Sequence, residues 1–254
     1  EPVRLLTAWF CPFAQRATIA LQEKDVKYES VESLTLTGDT YDKLPELILL
    51  NPKGTVPVLI HQEDPMKPAF VIRESSIIVQ YIDEMWKSGK SLMPDEPKMR
   101  ARCRLAANLI DNEIVPAFYQ ILVRQDRDAQ AEAKMQFTNA IAAFNEGIDI
   151  VGPFYLGAMF SIVDVLLAPW AMRLKVLEKY RHYEVPNTPG FMKFHRWFQA
   201  VLAHASVKKT IPGEIQLLEA YQRYEKGTVQ SQVAKIAKKR VASADSEHLP
   251  LLRN

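Results

Sequence analysis

Cysteine is nearly missing from this chain: of 254 residues only Cys11 and Cys103 carry a thiol. Two cysteines so far apart make no disulfide scaffold, and a reducing compartment is expected. Neither Ala14 nor Gln15 is a cysteine, so a Cys-x-x-Cys dithiol route is excluded at Cys11. Charge of one sign is not in excess either. Lys plus Arg total 32 against 30 for Asp plus Glu, a net +2 that argues against a nucleic-acid-binding body. No stretch reaches the roughly 18 apolar residues of a membrane span. The most apolar run, 162–172, is interrupted by Asp164. His61, His182, His195, His204 and His248 show no metal-ligand spacing. There is no internal repeat or low-complexity tract. The first residue is Glu1 rather than Met, as expected of a processed, trimmed or internal start, and no signal peptide is visible. What is present is an ordinary globular composition, about half apolar and a quarter charged, long enough for one large or two modest domains.

The stretch Phe10-Cys11-Pro12-Phe13-Ala14-Gln15-Arg16 carries the chemistry. The apolar run before it predicts a strand over 3–8, and the pattern after it a helix over 13–24. Pro12 lacks an N–H and has a preset φ, which suits a helix's first turn. Cys11 then stands just off the helix N-terminus, where unpaired N–H groups favour an anion, here a thiolate. The competing role is a small buried hydrophobe. In the helix, Arg16 and residues 22–24 are expected to face water.

Residues 27–32 alternate as a half-exposed strand does, completing a β-α-β unit with parallel strands. A loop is expected over 34–40 and a short helix over 41–50, weakened by Pro45. Asn51-Pro52-Lys53-Gly54 is a turn signal. The strand pattern of 55–61 contains Pro57, which either demotes it to an edge or, with a cis Val56–Pro57 bond, marks a functional bend. A strand over 69–72 should pair antiparallel with it. Glu74-Ser75-Ser76 opens a helix to about residue 86. Residues 87–97, with Gly89, Pro94 and Pro97, form the clearest boundary. Beyond it every periodic segment is helical: 98–124 with a kink at Pro116, then 129–151, 162–180, 191–203, 214–224 and 229–242. Ser161 and Asp164 have capping-box spacing, and the helix they open is apolar nearly all round, so it should be the buried centre of this half. Cys103 is expected to be inert core or interface. Lys235, Lys238, Lys239 and Arg240 make a basic edge that reads as a solvated face, with a partner or nucleic-acid patch as the sharper alternative.

Four signatures, in this order and spacing, resemble those of the cytosolic glutathione transferases. They are Cys11-Pro12-Phe13-Ala14-Gln15-Arg16, Gly54-Thr55-Val56-Pro57-Val58-Leu59, Glu74-Ser75 and Ser161-Ile162-Val163-Asp164. The likeness is greatest to the omega class and its fungal and protozoan thiol-transferase relatives, and it spans residues 3–225. It implies an α/β plus all-α fold: a thioredoxin-like, glutathione-binding domain over 1–87, an all-helical domain over 98–225 that lines the second-substrate pocket, and a helical, basic extension over 226–254. It also implies a cytoplasmic homodimer with glutathione as co-substrate, no bound cofactor, and no nucleic-acid or membrane partner.

Through that resemblance, Cys11 is the catalytic cysteine, in place of the Tyr or Ser of other classes. Val56, before a cis Pro57, pairs by its backbone with the cysteinyl part of glutathione. Glu74 and Ser75 hold the γ-glutamyl end, and Lys43 faces the glycyl carboxylate. Phe13 stands beside the thiol, and Trp170 lines the second-substrate pocket. The implied activity is a glutathione-dependent thiol transferase or dehydroascorbate reductase, acting on a small electrophilic or disulfide substrate through a mixed disulfide on one cysteine. The alternative is a non-enzymatic module of the same fold, similar to the chloride intracellular channel proteins or to a subunit or domain of a larger complex. Against the channel-like form stand the charged Arg16, Glu23, Lys24 and Asp25 of the first helix.

Overall fold

A computed structural model describes residues 2–238. Strand β1 (Val3–Thr7) leads into helix α1 (Pro12–Glu23), and β2 (Glu29–Glu32) returns parallel to β1 with Arg4 opposite Glu29. The segment expected to be loop and helix is instead a hairpin, β3 (Leu34–Thr37) and β4 (Thr40–Lys43). Its threonines and Tyr41 suit strands better than a helix. Gly38 supplies the left-handed φ of +56° at its tip. Pro45 does not weaken a longer helix; it opens α2 (Pro45–Leu50), where its missing N–H costs nothing. Strand β5 (Val58–His61) pairs antiparallel with both β1 and β6 (Phe70–Arg73), so the sheet order is β2-β1-β5-β6. β5 is central and fully buried, and Pro57 stands just before it with Val56–Pro57 cis, so no ladder bond is lost. This mixed sheet with its helices is the thioredoxin-like arrangement.

Helix α3 (Ser75–Met85) packs beside α1. Its Asp83 accepts the backbone N–H groups of Leu92 and Met93 and pairs with the Lys24 ammonium at 3.1 Å. Lys24 therefore does not face water. It is 1% exposed, and its buried charge ties the connecting segment to α1.

The second half is helical. α4 (Pro97–Leu109), a wider π-turn (Ile110–Ile114) and α5 (Val115–Val123) form one continuous run. The irregularity expected at Pro116 takes the form of that π-turn, which re-registers the helix where a proline donor is missing. Then follow α6 (Arg127–Gly147), α7 (Ile162–Ala171), α8 (Leu174–Arg181), α9 (Met192–Ala203), the short α10 (Ala205–Lys208) and α11 (Glu214–Glu225), and residues 232–238 are helical again. Every residue of α7 is buried, as its all-round apolar sequence requires. Asp164 accepts from the Ser161 N–H at 2.7 Å, the Tyr155 N–H at 3.0 Å and Trp197 Nε1 at 2.7 Å, so the capping residue also anchors a loop and α9. The single helix expected over 162–180 is broken at Met172 and Arg173, behind Pro169. Cys103 is wholly buried on α4. Lys239, Arg240 and His248 lie outside the described residues.

Candidate active site

Cys11 is the N-cap residue of α1, in an extended conformation with φ −82° and ψ 117°. Its N–H donates to the Ala8 carbonyl at 2.9 Å, and its carbonyl accepts from Gln15 at 3.1 Å, so the turn is fixed from both sides. The side chain is half-buried on the wall of a cavity of about 1060 Å³. Its sulfur lies 3.9 Å from the Val56 carbonyl, on the strand-entry side of the cis bond. Burial pushes the Cys11 thiol up. This outweighs the pull of the Ala14 and Phe13 amides and of the Arg173 and Arg16 guanidiniums, which favour the anion. The sequence reading of a thiol already held as an anion is thus corrected in direction. The helix terminus acts as expected, but desolvation is the larger effect.

Lys43 and Val56 share the large cavity with Cys11 and Phe13. Gly54 has a φ of +60° in the Asn51–Gly54 turn, and a Cβ there would stand 2.7 Å from Lys43 Nζ. The missing side chain at 54 is what lets the Lys43 ammonium lie over the turn. A second cavity of about 530 Å³ adjoins the first and is walled by Pro57, Glu74, Ser75, Lys53, Asp111 and Arg16. Phe13, Thr55, Val56 and Tyr119 border both. Glu74 has a φ of +69°, in the left-handed region that a glutamate adopts only under local constraint. Its carboxylate meets Lys53 Nζ at 2.9 Å, both groups being well exposed. Ser75 Oγ accepts from Arg16 Nη1 at 3.2 Å. Seven of the eight named site residues, Cys11 among them, therefore line two joined cavities. The cavity walls offer a backbone carbonyl and a carboxylate as acceptors and a hydroxyl and ammonium groups as donors, a set that fits a peptide bearing both an ammonium and carboxylates.

Trp170 is the exception. It is 1% exposed and borders neither cavity. Its ring packs edge-on against Phe13 at 4.8 Å and lies 4.5 Å beneath the Arg16 guanidinium. It acts from behind the wall and is not a pocket residue, because Phe13 and Arg16 fill the space in front of it.

Arg16 corrects a second expectation. Read as facing water, it is 1% exposed. It donates to the Leu166 carbonyl at 2.8 Å, to Ser75 and to Asp111 at 2.6 Å, joining α1 to α3, α7 and the π-turn. Sequence periodicity also gave no hint of the rings that enclose Cys11. Tyr119 of α5 and Tyr221 and Tyr224 of α11 line the large cavity, together with Tyr41. Tyr119 and Tyr224 lie on helices far apart in sequence, and only their convergence in space identifies them. The cavity is roofed by residues 228–236. Thr228 Oγ1 donates to Asp39 of the hairpin tip at 2.7 Å, and Arg223 donates to the Tyr41 hydroxyl at 3.0 Å. Among the described residues no cluster of His, Cys, Asp or Glu could hold a metal ion, and no helix is long and apolar enough to cross a membrane.

Residues 10–85 match the family model described as "Glutathione S-transferase, N-terminal domain", and residues 127–200 match "Glutathione S-transferase, C-terminal domain". The chain is 32% identical over 235 residues to glutathione S-transferase U7 of Arabidopsis thaliana, covering 91% of this chain and 96% of that one. Among solved structures it is similar to the tau-class enzyme of mango, Mangifera indica, with a TM-score of 0.76 and 30% identity over 87% of this chain and 98% of that one. It is also similar to omega transferase 3C of Trametes versicolor, with a TM-score of 0.73 and 28% identity over 84% and 90%.

Proposed function

Because the chain belongs to the glutathione S-transferase family, with glutathione as co-substrate, we propose that it is a thiol transferase and dehydroascorbate reductase working through Cys11 alone. One observation carries this reading. The residue at the mouth of α1, 3.9 Å from the Val56 carbonyl on the wall of a cavity of about 1060 Å³, is a cysteine and not a hydroxyl. A thiol there forms a covalent bond to sulfur, which a hydroxyl does not.

In this scheme Cys11 loses its proton and attacks the glutathionyl sulfur of a mixed disulfide. The S–S bond breaks, and the departing thiolate takes up a proton. A second glutathione thiolate then attacks the Cys11–glutathione disulfide, releasing oxidised glutathione and restoring the Cys11 thiolate. With dehydroascorbate, two glutathiones supply the two electrons and two protons and leave as the disulfide. Since burial raises the thiol, the anionic fraction grows with pH through the alkaline range, and the rate grows with it. Glu74 and Ser75 hold the γ-glutamyl end, Val56 the cysteinyl backbone and Lys43 the glycyl carboxylate. The second substrate occupies the tyrosine-lined part of the large cavity.

The residue ranges 1–87, 98–225 and 226–254 serve as the glutathione-binding domain, the helical domain and the extension. A cytoplasmic homodimer is part of the same reading, and the exposed Phe70 and Ile77 give it an apolar surface to bury.

A second reading is conjugation, in which a neutral Cys11 S–H donates to a bound glutathione thiolate. The raised Cys11 thiol favours it. Cys11→Ser separates the two. The thiol-transferase reading expects thiol transfer and dehydroascorbate reduction to disappear while conjugation persists or rises. Full reductase activity in that variant would refute it.

A further inference from the structure

Arg173 sits at the break between α7 and α8 and is 0% exposed. Burying a guanidinium is costly unless its charge is answered. All its side-chain bonds end on uncharged oxygens: Tyr221 Oη at 3.1 Å, Gln15 Oε1 at 2.6 Å, the Pro169 carbonyl at 2.6 Å and the Phe10 carbonyl at 3.0 Å. Among the described residues no carboxylate pairs with it. Arg16, equally buried, has Asp111. Arg181 makes no carboxylate ion pair among the described residues either, but it bonds the Ile121, Leu122 and Tyr224 carbonyls in the last turns of α5 and α11, where two helix dipoles present their negative ends, and Glu225 acts on it electrostatically. Arg173 has only one such carbonyl, that of Pro169. The backbone N–H of Arg173 goes to Trp170 instead, so Pro169 is left to the guanidinium.

What surrounds this charge is the Cys11 turn. Phe10 directly precedes Cys11, and Gln15 lies one helical turn beyond it on α1. Tyr221 lines the cavity that Cys11 borders. Arg173 Nε donates to the Tyr221 oxygen. As the acceptor in that bond, Tyr221 keeps its own O–H proton as a donor on the cavity wall.

We propose that Arg173 is a positioning residue that holds Phe10, Gln15 and Tyr221 around Cys11 and answers the negative charge formed there, with the Tyr221 hydroxyl as hydrogen-bond donor to that charge. This rests on Cys11 being the reacting thiol. The charged or titratable groups that act on Cys11 are then Arg173, Arg16, Tyr119 and Tyr221, the two arginines favouring its anion. Among the described residues no carboxylate pairs with Arg173, and a thiolate at Cys11 supplies the anion it lacks.

The test is the pH dependence of Cys11 alkylation by iodoacetamide, read peptide by peptide by mass spectrometry in wild type, Arg173→Met, Arg173→Lys and Tyr221→Phe, with a thermal melt of each. In Arg173→Met the midpoint should rise by about one unit, the usual effect of removing a nearby opposite charge. Tyr221→Phe should raise it by less, and Arg173→Lys should keep it near wild type. A folded Arg173→Met with an unmoved midpoint overturns the proposal, as does an Arg173→Lys midpoint as high as that of Arg173→Met. Where Arg173→Met does not fold, Tyr221→Phe decides: a raised midpoint supports the assignment and an unmoved one ends it. The reading of Cys11 as catalytic fails by a different result, absence of a glutathione adduct on wild-type Cys11, so the two failures are distinguishable.

Discussion

Cys11 and Cys103 are the same residue in two surroundings. Cys103, on α4, meets no amide terminus, and burial pushes its thiol up to about 11. Cys11 is raised as well, but amides and guanidiniums act against the burial. A thiol whose folded-state pKa lies above its unfolded value adds stability below the unfolded value. That contribution is lost as pH rises toward the folded value. Cys103 should therefore weaken the fold between about pH 9 and 11. Urea unfolding at pH 7, 9 and 10.5 checks this: the alkaline fall in stability should be shallower in Cys103→Ala. The residues least legible in the sequence were the charged ones. Arg16 lies on α1 and Lys24 caps its C-terminal end, and charge in such places normally marks the wet face. Their burial follows from Asp111 and Asp83, carboxylates 95 and 59 positions away that no local pattern reveals.

The elements that local pattern governs were legible: β1, α1, the parallel β2, the β5–β6 hairpin and nearly all of the helical half. Apolar periodicity and turn residues fix these without reference to distant chain. The β3–β4 hairpin was not legible, because its four-residue strands carry too few apolar side chains to show alternation. The break before α8 was hidden because apolar spacing continues across it, and the tyrosine wall because its rings come from helices far apart in sequence. The turn ending at Gly54 shows how an element can matter through what it lacks. Alanine at 54 would combine a strained left-handed φ with a Cβ 2.7 Å from Lys43 Nζ. Gly54→Ala should cost about 1 kcal/mol of stability. It should also raise the KM for glutathione several-fold by displacing Lys43, with kcat changed less. Steady-state kinetics at varied glutathione check the split.

Across the whole molecule, Arg16 is one of the points where the sheet-bearing half meets the helical half. One guanidinium bonds Ser75 beside the second cavity, the Leu166 carbonyl of α7 and Asp111 of the π-turn, and it lies over Trp170. Asp111→Ala leaves that buried charge without its carboxylate. The cost should be about 2 kcal/mol, at the low end for breaking a buried pair because Asp111 is 33% exposed. The same variant should weaken glutathione binding, since Ser75 loses its firmly held donor. Denaturant unfolding and calorimetric titration with glutathione measure the two effects in one protein. The central claim is that one sulfur, at the mouth of α1, takes and releases glutathione. Peptide mass spectrometry after incubation with oxidised glutathione tests it most directly. A single glutathionyl adduct on Cys11, removed by reduced glutathione, is the predicted result; an adduct on Cys103 alone, or none, would contradict it.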